Sequence, residues 1–130
     1  MATRDTKGAP DIARRTYLFA CRIVKLVRAL PGDIASQVIA RQLARSGTSV
    51  GANVEEAQGS HSRKEFARRM GIARSEARES LYWLRLLADS DTMPRRRLEP
   101  ITRESDEILR ILVAIVKKSR IEPGSKSQKG

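Results

Sequence analysis

Two long helical patterns lie close together in the middle of the chain, and the stretch that they share, Arg41–Leu87, constrains the fold most. The connection between them is short and contains Gly59, a residue type that commonly ends a helix. Ser60 or Ser62 is expected to cap the second helix, and Ser62 has Glu65 at the spacing of a helix-capping box. The sequence therefore predicts two long helices joined by a tight connection.

The first of these two helices carries polar residues where an apolar stripe is expected. Its apolar residues recur on one face at helical spacing, and they are Ile39, Leu43, Val50, Val54 and Ala57. Gln42, Ser46 and Asn53 fall on the same face or at its edge. Because a buried polar group costs stability unless it is hydrogen-bonded, Asn53 is expected to be buried and paired.

Apolar periodicity predicts two further helices, so the chain is expected to be an all-α protein with four helices. The predicted helices run from about Asp11 to Leu30, from Ile34 to Gln58 after an Asp33 cap, from Ser62 to Ser90, and from the Arg95–Arg97 region to Arg120. One domain is predicted over residues 11–121, with a disordered lead at 1–10 and a flexible basic tail at 122–130. Gly47 and Gly51 in helix two indicate either a close approach of another backbone or a bend.

The net charge of +11 is unevenly distributed along the chain. Residues 1–30 hold seven basic and two acidic residues, and residues 117–130 hold five basic and one acidic residue. The long middle part is close to balance. Such a distribution is typical of a protein with a polyanionic partner, although a solvated, solubilising surface would give the same charge.

Two groups of basic residues are candidates for phosphate contact. The first lies on one arc of helix one, beside its apolar stripe, and comprises Arg14, Arg15, Arg22, Lys25 and Arg28. The second is the triplet Arg95, Arg96 and Arg97, which is unfavourably placed at a helix start because cations prefer helix C-termini. Binding by such residues would depend on charge and not on base sequence. The alternative is an ordinary wet basic face.

Residues that could perform catalysis or bind a metal or cofactor are nearly absent. His61 is the single histidine, and no partner residue suited to a metal site lies near it in sequence. The single cysteine, Cys21, is expected to be a buried structural thiol of a protein from a reducing cytoplasm. Glu76 and Glu79 are expected to form surface ion pairs with Arg69, Arg74 or Arg78. The sequence thus predicts no enzyme activity, cofactor, metal or membrane segment.

Three segments together resemble a known family. They are Ser49–Ala57 (SVGANVEEA), Ser62–Phe66 (SRKEF) and Ile72–Ser80 (IARSEARES). The chain is similar over about Leu18–Val116 to the four helix bundle protein family, whose members include proteins encoded in intervening sequences of bacterial 23S rRNA genes, once labelled S23 ribosomal proteins. Asn53, Glu56, Gly59, Glu65 and Phe66 are the motif residues, while Gly51 and Ala57 depart from the family's usual proline and glycine.

The resemblance implies an antiparallel up-down four-helix bundle and, in known relatives, a ring-like homopentamer. The accessory variability determinant of diversity-generating retroelements is similar too, which implies association with a reverse transcriptase and contact with nucleic acid. The ribosomal label reflects gene location and not membership of the ribosome. Asn53 and Glu56 could hydrogen-bond helix three, cap a neighbouring chain, or line a ligand pocket.

Our interpretation is a non-enzymatic, homo-oligomeric helical bundle that binds nucleic acid, RNA or DNA, through basic surface charge. It would act in the cytoplasm, where it could serve as an accessory factor to a reverse transcriptase. The alternative is a structural scaffold that has protein partners and no nucleic-acid role. The surplus apolar residues Ile72, Trp83 and Leu86 of helix three are the candidate subunit contact.

Overall fold

A computed structural model describes residues 11–120, and these residues form four α-helices with no strand among them. The helices are α1 (Ile12–Arg28), α2 (Ile34–Gln58), α3 (Arg63–Asp89) and α4 (Arg95–Arg120). Each helix contacts its neighbour in sequence, and α1 also meets α4, so the described part of the chain is an all-α four-helix bundle, as predicted. The predicted lead at 1–10 and tail at 122–130 lie outside the described residues.

The first three helices begin where the sequence predicted because a side-chain oxygen caps each start. Asp11, Asp33 and Ser62 accept hydrogen bonds from backbone N–H groups three residues later, at 3.3, 3.1 and 3.0 Å. Such caps satisfy N–H groups that have no partner within the helix. Only half of the capping box forms at Ser62, since the carboxylate of Glu65 bonds Arg68 and Arg69 instead.

One polar residue of the α2 stripe, Ser46, is buried and hydrogen-bonded to a serine of α3. The hydroxyls of Ser46 and Ser80 are both fully buried and lie 2.9 Å apart. Ser80 also lies 2.9 Å from the carbonyl oxygen of Glu76, so it can donate to that oxygen and accept from Ser46. Gln42, predicted at the edge of the same stripe, is exposed, and Asn53 is only half-buried. The polar residues of this stripe therefore cost little, because Ser46, the buried one among the three, is paired.

Helices α1 and α2 pack closely at the two glycines of α2. A Cβ atom on Gly47 would lie 2.8 Å from Cγ1 of Ile23, and one on Gly51 would lie 3.1 Å from the backbone carbonyl oxygen of Thr16. Of the two predicted explanations for these glycines, close approach of another backbone is confirmed at Gly51, while Gly47 makes room for the Ile23 side chain, and α2 runs unbroken through both positions. This contact fixes which side of α1 is buried.

Two predictions about side chains were wrong. Cys21 is exposed, because the buried positions of α1 are Thr16, Phe19 and Ile23, and Cys21 points away from that face. The partner of Glu76 and Glu79 is Arg45 of α2, not an arginine of α3. Periodicity on one helix does not reveal a partner on another helix, which depends on how the two helices pack.

Candidate nucleic-acid interface

The basic residues of α1 lie mainly on its outer side, as predicted. Arg14, Arg22, Lys25 and Arg28 are exposed, while Phe19 and Ile23 are buried on the opposite side. In the described part of the chain, none of these four basic side chains forms an ion pair with a carboxylate. They are therefore free to meet an anion outside the protein.

The structure brings the two predicted basic groups together at a single groove. Arg22 and Lys25 of α1 and Arg97 of α4 line a groove of about 260 Å³ between these helices. Its remaining lining residues are Leu26, Ala29 and Ile101. We call this site the basic groove. It combines three cations with an apolar floor, and it has no carboxylate among its lining residues.

Backbone charge adds to the positive potential of the basic groove from one side. Arg97 lies in the first turn of α4, where the aligned peptide groups give the helix end a partial positive charge, and its own N–H donates to the carbonyl oxygen of Pro94 at 2.9 Å. This placement is unfavourable for an arginine in isolation and favourable for a bound anion, which meets both charges. Lys25 and Arg28, in the last turn of α1, occupy positions that suit cations in any helix.

Arg15 differs from its neighbours on α1 because it is already engaged with carboxylates. Its Nε and Nη2 atoms lie 2.7 and 2.9 Å from the two carboxylate oxygens of Glu104 on α4, and Nη2 also bonds Glu107. Arg15 therefore fastens α1 to α4 and is unsuited to the phosphate contact that we predicted for it. We call this set of three residues the α1–α4 clamp.

The clamp and the basic groove influence each other through charge. Hydrogen bonds from Arg15 lower the pKa of Glu104 against the opposing effect of partial burial, and the positive charge of Arg22 lowers it further. Glu104 is thus held as a carboxylate within reach of Arg22. Because Arg15 neutralises it directly, the cations of the basic groove keep most of their attraction for an external anion.

The other residues of the predicted triplet behave differently from Arg97. Arg95 forms an exposed ion pair with Asp89 at 3.1 Å and lines a separate groove between α3 and α4. Arg96 is exposed at the start of α4. An exposed pair of this kind contributes little energy, so Arg95 could leave Asp89 to contact a phosphate. Among the described residues, Arg97 has no ion pair to break first.

The family-motif residues lie at the junction of α2 and α3. Asn53 donates to the carbonyl oxygen of Ser49 at 2.9 Å and accepts from Arg69 of α3 at 3.2 Å, so its predicted pairing with helix three is present. Glu56 is exposed on the outer side of α2, and within residues 11–120 it makes no ion pair. Gly59 ends α2, and Phe66 is half-buried against the core.

The three residues predicted at a subunit contact are half-buried on α3. Trp83 packs against the core and donates its indole N–H to Glu79 at 2.9 Å, and Ile72 and Leu86 are intermediate in exposure. The most exposed aliphatic side chains are instead Ile34 (84%) and Val38 (47%) of α2. Sequence reasoning missed these two because they lie off the apolar stripe of α2, and periodicity alone does not mark an exposed apolar residue as a contact.

Nothing in the described residues resembles a metal site or a membrane span. Over residues 11–120, no cluster of three or more His, Cys, Asp or Glu side chains could hold a metal ion. In the same range, no helix combines the length and the hydropathy that crossing a bilayer requires.

Comparison with known proteins relates the chain to one family. Residues 10–114 match the family model described as 23S rRNA-intervening sequence protein. A crystal structure from Bacteroides thetaiotaomicron, described as a protein with unknown function from the S23 ribosomal protein family, is 38% identical in sequence. The match covers 82% of this chain and 99% of that one, with a TM-score of 0.77. None of the curated proteins matches the chain.

Proposed function

The chain belongs to the 23S rRNA-intervening sequence protein family, and from that premise we propose that it is a nucleic-acid-binding bundle without enzymatic activity. The observation that carries the proposal is the convergence of Arg22, Lys25 and Arg97 on one groove between α1 and α4. Two groups of cations far apart in sequence meet there, and no described carboxylate pairs with them.

The basic groove would bind the phosphate backbone of a nucleic acid and make no base-specific contact. Its three cations can each neutralise a phosphate and release counterions, which favours binding to any nucleic acid. Its floor of Leu26, Ala29 and Ile101 offers neither hydrogen-bond donors nor aromatic rings to a base edge. Affinity at this groove should therefore depend strongly on salt and weakly on base sequence.

The direct experiment reverses two charges of the groove. We expect Arg22→Glu with Lys25→Glu to weaken binding of labelled RNA and DNA oligonucleotides at low salt by at least about tenfold, since two attractive phosphate contacts become repulsive. Both side chains are exposed, so the circular dichroism spectrum should be unchanged. Fluorescence anisotropy at equilibrium measures the affinity.

A matched control makes the same change in net charge elsewhere. Arg41 on α2 and Lys64 on α3 are exposed and have no ion-pair partner among the described residues. Arg41→Glu with Lys64→Glu should reduce affinity by no more than about threefold, the loss expected from long-range charge alone. Equal losses in the two double variants would refute a localised groove and favour the scaffold alternative.

We further propose that the chain forms a homo-oligomer through an apolar strip at the α2–α3 edge. The cross-helix bonds of Arg45 to Glu79 and of Asn53 to Arg69 set an antiparallel register in which Val38 lies level with Leu86. Ile34, one turn from Val38, extends the strip. Repetition of the basic groove around an assembly would strengthen a weak contact by avidity.

Self-association is expected at micromolar concentration. Light scattering of the wild type should return a multiple of the 14.5 kDa chain mass, and Val38→Asp should lower it, because an unpaired carboxylate cannot be buried at a contact without cost. A monomer mass for the wild type would refute the proposal. The pentameric state, the reverse transcriptase partner and the cytoplasmic location remain predictions, since no contact among the described residues bears on them.

A further inference from the structure

A second basic surface, which the proposed function does not use, runs along the outer face of α3. Tyr82 is 57% exposed there, with exposed Arg78 one turn before it and exposed Arg85 one turn after it. Within the described residues, neither arginine forms a hydrogen bond or ion pair to a carboxylate. An aromatic ring therefore stands in solvent between two uncompensated cations.

The ring of Tyr82 is held in place by a series of contacts that reaches α2. It packs edge-to-face on Trp83, with ring centroids 4.9 Å apart and an interplanar angle of 75°. The indole N–H of Trp83 bonds Glu79 at 2.9 Å, and Arg45 of α2 bonds the same carboxylate at 2.6 Å. An exposed ring that is already oriented loses little conformational entropy when a flat ligand stacks on it.

The basic surface continues past Arg85 into the groove between α3 and α4. That groove has a volume of about 480 Å³, and Arg103 of α4 also lines it. Two of its carboxylates, Asp89 and Asp106, are already bonded to Arg95 and Arg110. The remaining lining carboxylate is that of Glu99, so the cations there exceed the carboxylates that lack a partner.

We infer that the outer face of α3 is a second nucleic-acid surface, selective for single strands, on which a base stacks on Tyr82 while Arg78 and Arg85 hold the flanking phosphates. Base-aromatic stacking accepts any base, because every base has a π face. Bases inside a duplex are covered by their neighbours and cannot reach the ring. The inference shares its class of partner with the proposed function, but it rests on different residues.

The other tyrosine of the chain provides a matched comparison. Tyr17 on α1 is 64% exposed, but it lines a groove with Ala20, Thr48 and the carboxylate of Glu55. Along its helix it has a cation on one side only, Arg14, since Ala20 and Cys21 occupy the next turn. Removing Tyr17 should therefore change single-strand binding very little.

The test uses Trp83, the single tryptophan of the chain, as a reporter next to Tyr82. The full chain is titrated with a mixed-sequence single-stranded oligonucleotide, the same sequence as a duplex, and an abasic oligonucleotide of equal length. We expect the single strand to quench Trp83 emission, and the duplex and the abasic backbone to leave it nearly unchanged. Tyr82→Ala should weaken single-strand binding about tenfold and leave duplex binding unaltered.

Two variants accompany Tyr82→Ala. Tyr82→Phe should keep wild-type affinity because it keeps the ring, and Tyr17→Ala should match the wild type. If Tyr82→Ala binds single strands as tightly as Tyr82→Phe does, the inference is wrong. It is also wrong if the abasic oligonucleotide quenches Trp83 emission as much as the intact single strand does. The proposed function fails separately, through the double variant of Arg22 and Lys25. A chain that binds no oligonucleotide overturns both.

Discussion

Replacing Gly51 by valine is expected to lower the free energy of unfolding by about 3 kcal/mol. The new Cβ would lie 3.1 Å from the backbone carbonyl oxygen of Thr16, tighter than ordinary van der Waals contact. Because the neighbouring atom belongs to the backbone of α1, it cannot rotate away as a side chain could. The whole helix would have to shift, and the packing of Phe19 and Ile23 would change with it.

The control for this prediction is a glycine in open space. Gly71 lies inside α3, and a Cβ there would have no atom within 4 Å apart from its chain neighbours and the backbone of its own helix. Gly71→Ala should therefore stabilise the protein by up to about 1 kcal/mol, the helix propensity of alanine over glycine. Urea denaturation followed by circular dichroism measures both variants. A Gly51→Val protein as stable as the wild type would show that α1 and α2 do not pack closely.

Replacing Arg15 by methionine should cost about 1–2 kcal/mol at neutral pH. The change removes both hydrogen bonds to Glu104 and leaves that carboxylate, about one-fifth exposed, without its partner. Glu107 is 61% exposed and should contribute little. The effect should be concentrated at the α1–α4 seam, which is the least extensive contact between neighbouring helices of the bundle.

The contribution of the clamp should disappear in acid. Arg15 lowers the pKa of Glu104 in the folded protein, so the stabilisation is fully present above the ordinary glutamate pKa of about 4.3. It is lost as the pH falls through the lowered value. Unfolding of wild type and Arg15→Met, compared between pH 7 and pH 2.5, should therefore show a difference that shrinks with acidity.

An ordinary surface pair serves as the control for Arg15. Arg110 and Asp106 lie four residues apart on α4, at 3.0 Å, and the Arg110 side chain is 76% exposed. Arg110→Met should change the free energy of unfolding by no more than about 0.5 kcal/mol. If Arg15→Met costs no more than Arg110→Met, Arg15 is a surface residue, and our original prediction of phosphate contact for it regains its basis.

The helices could be predicted from sequence because their determinants are local. Asp11, Asp33 and Ser62 cap helices through bonds that reach only three residues along the chain, and apolar periodicity marks the buried face. The glycines of α2 also indicated a close approach in advance. The antiparallel order was an implication of the family resemblance, and the cross-helix bond of Asn53 with Arg69 is consistent with it.

The candidate sites were harder to predict because they depend on contacts between helices. Arg15 and Arg22 are both basic residues beside the apolar stripe of α1, yet α4 presents Glu104 to one and Arg97 to the other. Because these partners lie far apart along the chain, the sequence does not show that, among the described residues, Arg15 is paired and Arg22 is not. Tyr82 was missed for another reason: it stands next to Trp83 and Leu86, which were predicted at a subunit contact, and helical spacing does not indicate which ring remains in solvent.

The salt dependence of binding tests the central claim most directly, because each phosphate contact adds a known amount to the slope of log affinity against log salt. Neutralising the basic groove with Arg22→Gln, Lys25→Gln and Arg97→Gln removes three candidate contacts, each of which contributes about 0.7–0.9 to the slope of log affinity against log salt. We predict that the slope for a mixed-sequence oligonucleotide becomes shallower by about two or more, while Arg41→Gln with Lys64→Gln leaves it unchanged. A triple variant with the wild-type slope would contradict nucleic-acid binding at the basic groove.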